Sequence, residues 1–248
     1  MSQHAIGIDI GGTGMKAGLV DIATGEMIGD RVRVATPHGG HPKDIVRVTS
    51  EIIATLGADG DTPVGVAFPS SIHHGVTMLA ANISQDWIGF EAEKYFEKKL
   101  NRDITFVNDA DAAGFAEVTY GAAKHQRGLV IMTTLGTGIG SALIYNGVLI
   151  PNAELGHLEI DGHDAETRAS AVVRERKGLS YEEWAHRLQR YYEHVEMLFS
   201  PDLFIVGGGV SKSHEKFLPL LKLRTPIVPA TLLNQAGILG AAALTQHE

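Results

Sequence analysis

One glycine-rich turn occurs twice in this chain, each time between two apolar runs, and no other feature limits the fold as strongly. The first copy is Asp9-Ile10-Gly11-Gly12-Thr13-Gly14 and the second is Leu135-Gly136-Thr137-Gly138-Ile139-Gly140. Residues 6–10 and 129–135 read as strands entering the turns, and residues 15–21 and 141–145 as strands leaving them. Strand, tight glycine turn, strand is therefore laid down twice. Glycines without side chains let backbone N–H groups converge on a phosphate, and the hydroxyl of Thr13 or Thr137 adds a donor. Either copy alone reads equally well as an ordinary hairpin with glycine at its positive-φ positions. The repetition favours two turns gripping one phosphate chain from both sides.

The rest of the chain repeats the same plan. Strands at 6–10, 15–21 and 27–34 form a meander, and a helix over 43–56 sets Ile45, Thr49, Ile52, Ile53 and Leu56 on one face. A buried strand at 64–68 is closed by Pro69, a helix covers 91–100, and a strand at 105–107 runs into Asn108-Asp109 ahead of a helix over 110–120. In the second half the hairpin at 129–145 precedes an irregular polar stretch, 151–166. A helix over 181–199 follows, with Trp184, Leu188, Tyr191, Val195 and Leu198 on one stripe. A strand at 203–206 enters Gly207-Gly208-Gly209, and an alanine-rich helix spans about 237–245. Two similar α/β halves with a cleft between them is the economical reading. The expected division is 1–109 for the N-terminal lobe and 110–235 for the C-terminal lobe, with 236–248 packing back on the first.

The 248 residues are enough for a sizeable core. A formal net charge of −8 argues against nonspecific nucleic-acid binding, so a polyanionic ligand would need a local basic track. Lys124, His125 and Arg127 form one basic group, and Arg168, Arg174, Arg176 and Lys177 another; a solvated face is the plainer reading of both. The absence of cysteine excludes disulfides and thiolate metal sites, and fits a reducing cytoplasm. No stretch is apolar enough to span a bilayer, and a first strand starting by about residue 6 is expected to leave no room for a signal peptide.

Five motifs in order resemble the ROK branch of sugar kinases within the actin-like ATPase superfamily. They are Gly7-Ile8-Asp9-Ile10-Gly11-Gly12-Thr13, Asn108-Asp109-Ala110-Asp111-Ala112, Leu135-Gly136-Thr137-Gly138-Ile139-Gly140, Asn152-Ala153-Glu154-Leu155-Gly156-His157 and Ile205-Val206-Gly207-Gly208-Gly209. Residues 151–170 look like the polyphosphate-using subgroup of glucokinases and glucomannokinases. The resemblance implies an α/β fold of two ribonuclease-H-like lobes with the active site in the interlobe cleft. It implies a homodimer that transfers a phosphoryl group to the 6-hydroxyl of glucose, with mannose as a second candidate, from inorganic polyphosphate, ATP or both. An ATP-only ROK hexose or amino-sugar kinase is the alternative. The family's sugar-responsive repressors carry an N-terminal helix-turn-helix, for which the early first strand leaves no space. An actin-like filament or chaperone ATPase would leave the dense Asn, Asp, Glu and His set unexplained.

Asp109 is the expected catalytic base, a carboxylate at a strand end beside a helix N-terminus; capping that helix is the competing role. Asp9 closes the first strand and would hold Mg²⁺ through water, while Leu135 takes its place in the second turn. The sugar set carried over from the family is Asn82, Asn108, Asp109, Glu154, His157 and Glu166, which supplies the paired donors and acceptors that hydroxyls need. The phosphate and nucleotide set is Asp9, Gly11, Gly12, Thr13, Gly14, Lys16, Gly136, Thr137 and Gly138, with Gly207, Gly208 and Gly209 on the adenosine side. Most ROK chains have a cysteine-rich zinc site after the Glu-x-Gly-His element. Here 158–164 contains none, and zinc is not expected.

Overall fold

The computed structural model describes residues 3–80 and 83–246. It divides into two compact units, one made of Met1–Ala116 with Asn234–Glu248 and the other of Glu117–Leu233. The first division falls inside a helix, Asp109–Thr119.

The first unit is built on a five-stranded sheet. Strands β1 (His4–Ile10), β2 (Gly14–Asp21) and β3 (Glu26–Ala35) form the antiparallel meander. Helix α1 (Pro42–Leu56) then returns the chain to β4 (Val64–Phe68), which lies parallel to β1. A three-stranded sheet of two-residue strands follows: β5 (Ile72–His73), β6 (Val76–Thr77) and β7 (Phe90–Glu91). Helix α2 (Ala92–Leu100) leads to β8 (Ile104–Asn108), parallel to β4, and the sheet order is β3-β2-β1-β4-β8. Helix α3 (Asp109–Thr119) leaves the end of β8.

Alternation along β1 and β4 assigns the two faces of this sheet. Ile6, Ile8, Ile10, Val64, Val66 and Phe68 point to the side covered by Ile45, Ile52 and Phe96 of α1 and α2. Trp87 closes that core against Phe68 and Phe106, and its indole N–H donates to the Gly40 carbonyl at 2.7 Å. The other face carries Gly7, Gly65 and Ala67 and receives the chain's last helix, α7 (Ala236–Leu244). A Cβ on Gly7 would lie 1.9 Å from the Ile238 carbonyl oxygen, and one on Gly65 the same distance from that of Ala241. Glycine in the strands and alanine in the helix thus permit backbone-to-backbone contact.

The second unit repeats the arrangement. Strands β9 (Leu129–Leu135), β10 (Ile139–Tyr145) and β11 (Val148–Ile150) form a meander. The segment read as irregular is more ordered than its polarity suggests. It contains a 3-10 turn at Leu155–His157, a hairpin of β12 (Glu159–Ile160) and β13 (His163–Asp164), and the four-residue helix α4 (Glu166–Ala169). Helix α5 (Ala171–Arg176) precedes the long α6 (Tyr181–Phe199), whose start is fixed by a capping box between Ser180 and Glu183. Strands β14 (Leu203–Gly207) and β15 (Ile227–Pro229) run parallel to β9, giving the order β11-β10-β9-β14-β15. The stripe on α6 buries Trp184, Leu188, Tyr191 and Val195, while Leu198 is exposed. Tyr192, outside the stripe, is buried with its hydroxyl 2.6 Å from that of Thr133.

Glu117 opens the second unit and is fully buried. Its carboxylate accepts hydrogen bonds from Ala122 N (2.7 Å), Thr231 Oγ1 (3.0 Å) and Leu232 N (2.7 Å). These donors satisfy a charge that would otherwise be costly to bury. No helix among the described residues is long and apolar enough to cross a membrane.

Candidate active site

On the first unit, β1, β4 and β8 run parallel, so Asp9, Ser70 and Asn108-Asp109 arrive at the same sheet edge. Asn108 is buried and performs the capping role. Its Oδ1 accepts from Ala110 N at 2.8 Å and Asp111 N at 3.1 Å, and its Nδ2 donates to the Ser70 carbonyl at 3.1 Å. Asp109 is the first residue of α3 and half-buried. Asp9 pairs with Lys16 at 2.9 Å across the β1–β2 hairpin and lies against the start of α7 beside Gly237. In the turn, Gly11 N donates to the Gly14 carbonyl at 3.0 Å, and the Thr36 hydroxyl holds the Gly11 carbonyl at 2.5 Å. Gly12 and Thr13 at the tip are exposed. Asn82 lies outside the described residues.

The second unit carries the matching turn. Gly136 N donates to the Gly138 carbonyl at 3.0 Å, Thr137 is exposed, and a Cβ on Gly136 would meet nothing within 4 Å. Gly138 is needed for another reason: a Cβ there would lie 2.2 Å from Glu166 Oε2, the oxygen that accepts from Ile139 N at 3.0 Å. The second glycine turn and Glu166 of the expected sugar set are therefore in direct contact within this unit. Of the three glycines after β14, Gly208 has φ +82 and sits against the Leu135 backbone, while Gly209 faces open space. Close neighbours account for glycine at 207 and 208, while Gly208 and Gly209 are both exposed and a Cβ on Gly209 would meet nothing within 4 Å.

Glu154, His157 and Glu166 gather on this unit. His157 Nδ1 lies 2.8 Å from Asp164 Oδ2, and Asp164 Oδ1 accepts from Glu166 N at 3.1 Å. Asp164 is the partner that residue-by-residue reading missed; its only signal is its place in the same polar segment as His157. The hydrogen bond to Asp164 is the largest cause raising the His157 pKa above the ordinary histidine value, opposed by desolvation and aided by the nearby acids. Burial raises the Glu154 carboxyl, with His157 opposing and Glu166 adding repulsion. His157, Asp164 and Glu166 place potential metal-ligand atoms within 4.8 Å of one another, without a thiolate.

The raised His157 value has a defined sign. Its contribution to stability is fully present below the unfolded-state value, about 6.5, and disappears as pH rises through the folded-state value. Asp164→Asn removes the charged partner. The His157 ring protons, followed by NMR, are expected to titrate at lower pH in that variant; an unchanged curve would show that the pair does not form in solution.

The two basic groups divide on inspection. Arg174 is not part of an open track: its guanidinium stacks over Tyr181 at 4.4 Å and its Nη1 reaches the Leu179 carbonyl at 3.5 Å. Lys124, His125, Arg127, Arg168, Arg176 and Lys177 are exposed.

Two ribonuclease-H-like units, each bearing a glycine turn at the end of its first strand, define the actin-like class of phosphotransferases and ATPases. The chain belongs to the ROK family, whose model matches residues 5–171. It is 47% identical over 241 residues to a polyphosphate glucokinase of Mycobacterium tuberculosis, covering 97% of this chain and 90% of that one. The inorganic polyphosphate/ATP-glucomannokinase of Arthrobacter sp. strain KM superposes with a TM-score of 0.93 at 53% identity, covering 99% of each chain. A ROK family glucokinase from Streptomyces griseus, solved with glucose and AMPPNP, matches with a TM-score of 0.82 at 25% identity over 99% of this chain and 100% of that one.

Proposed function

We propose that this protein is a glucose kinase that uses inorganic polyphosphate, ATP or both, transferring the terminal phosphoryl group to the sugar 6-hydroxyl. The observation that carries this reading is the conjunction of Asp109 at the head of α3 with a glutamate–histidine set anchored to a glycine turn, in a chain similar throughout to polyphosphate glucokinases. Asp109 accepts the hydroxyl proton as the sugar oxygen attacks phosphorus and the bridging oxygen departs with the donor's remaining phosphate. Its position beside a helix start favours an ionised base. Because Asn108 does the capping, the Asp109 carboxylate is not required for it.

Glu154, His157 and Glu166 fit the sugar hydroxyls, each of which gives and takes a hydrogen bond. Asn108, with one amide hydrogen beyond those already engaged, and Asn82 complete the proposed set. The N–H groups and hydroxyls at 11–14 and 136–138 suit the phosphates, Lys16 adds a cation, and Gly209 suits a flat base when the donor is ATP. Asp9 offers hard carboxylate oxygen at the same sheet edge as Asp109, which fits magnesium held largely through water. Bound there, the ion would neutralise phosphate charge. Action as a homodimer in the cytoplasm is part of the same proposal.

The test is glucose 6-phosphate formation with magnesium, comparing long-chain polyphosphate and ATP at matched phosphoryl concentration. Turnover with polyphosphate is expected, faster than with ATP. Activity with ATP alone would restrict the donor and return the exposed basic residues to a surface role. No product from either donor would overturn the assignment of glucose.

A further inference from the structure

A cluster of basic side chains on the second unit surrounds a pocket, and of its lining residues only Arg168 belongs to the basic groups named above. Helix α4, the β12–β13 hairpin and the middle of α6 enclose a pocket of about 220 Å³. Its floor is apolar and buried, formed by Ile160, Ala165 and Ala169. Its rim carries Arg168, Arg187 and Arg190 with His163 and His186. Asp161 is the one carboxylate among the lining residues, and it is committed to Arg190 through a two-pronged pair at 2.8 and 2.9 Å. One N–H of Arg187 holds the Arg168 carbonyl at 3.0 Å, which fixes that guanidinium at the rim. The lining thus sets three guanidiniums against one carboxylate, Asp161, which is held below the usual carboxylate range chiefly by its bond to Arg190 and further by the charge of Arg168.

Tyr191 also lines this pocket. Its side chain is 1% exposed, yet its hydroxyl has no hydrogen-bond partner among the described residues. Buried hydroxyls are rarely left so, and an unsatisfied one points to a group from outside the chain. The hydroxyl is a donor in want of an acceptor: its titration lies far above the working range, because burial disfavours the phenolate. A solvated basic face would account for the arginines but not for Tyr191.

We propose that this pocket binds a phosphoryl group, as inorganic phosphate or as a small phosphate monoester. Three guanidiniums against one carboxylate leave the rim with a net positive charge that suits a dianion, and guanidinium forks match phosphate oxygens in pairs. A tetrahedral group, unlike a planar carboxylate, offers further oxygens to a third donor such as Tyr191. The volume admits a compound of sugar-phosphate size.

The experiment measures binding, by isothermal calorimetry, of inorganic phosphate to the full chain against chloride of equal ionic strength. It is run on the parent, Arg187→Gln and Tyr191→Phe. Saturable binding by the parent is expected, weakened about tenfold in Arg187→Gln, the usual cost of losing a charge-assisted contact, and clearly weakened in Tyr191→Phe. The second variant removes only a hydroxyl with no hydrogen-bond partner among the described residues, so it is expected to fold at least as stably as the parent. Phosphate held at the glycine turns would bind all three proteins alike. Equal binding across the three, or no saturable binding, would overturn the proposal. So would full retention in Tyr191→Phe, since surface charge alone would then explain the loss in Arg187→Gln. Glucose 6-phosphate that binds more tightly than phosphate and is weakened in both variants would identify a monoester as occupant, and equal binding of the two would identify the phosphate group itself.

Discussion

Asp109→Ala is expected to lower turnover by about 10²-fold or more, the lower range for removal of a general base. The effect should fall on kcat, with the cap of α3 retained. The reason is local: Asn108 supplies both acceptor contacts to the first turn of α3, so removing the neighbouring carboxylate leaves the cap in place. Asn108→Ala should show the reverse emphasis, losing about 1 kcal/mol of stability as caps do. The pair of measurements separates two residues that are adjacent in sequence and both plausible caps. Steady-state kinetics and urea unfolding on the two variants suffice. Near-parental turnover in a folded Asp109→Ala protein would remove Asp109 from the mechanism.

Gly65→Ala is expected to produce a large loss of stability. The new Cβ would lie 1.9 Å from the Ala241 carbonyl oxygen and 2.4 Å from its carbon. Both are backbone atoms of α7, so no side chain can rotate away and the helix must lift from the sheet. Overpacking costs about 1–3 kcal/mol when neighbours can adjust; here about 3 kcal/mol or more is expected, because they cannot. Gly60→Ala is the control, since a Cβ there meets nothing within 4 Å. Equal urea midpoints for the two variants would show that α7 does not seat on β4 in solution.

Much of the fold was legible because its elements are long and strongly patterned. The residues at 64–68, 129–135 and 181–199 form the expected elements with the expected ends, and the first meander and the second hairpin follow the glycine turns, while β11 was not expected. Residues 69–90 gave no such signal. Their strands are two residues long, too short for alternation to register, and Trp87 enters the core from a 3-10 turn with no periodicity of its own. The polar segment 151–166 concealed a hairpin for a related reason: β12 and β13 pair through only two residues each. At the site, the resemblance to the ROK family singled out Asp109, Glu154, His157 and Glu166 as candidates. The contact between Gly138 and Glu166, and the Asp164 carboxylate behind His157, depend on how separate segments meet. Tyr191 shows the limit most plainly. Its place on the α6 stripe marked it as core, while a hydroxyl with no hydrogen-bond partner among the described residues is a property of the assembled pocket.

The glycine-lined face of the first sheet also bears on how the protein is made. The helix that covers Gly7 and Gly65 comes from the end of the chain, whereas the second unit is one uninterrupted stretch, Glu117–Leu233. A ribosome therefore completes the second unit before the first can close. At roughly 5–20 residues per second, the early strands wait on the order of ten seconds with that face uncovered. The usual N-terminal-first order of domain folding is inverted here, and the newly made N-terminal sheet is the part most in need of shielding during synthesis.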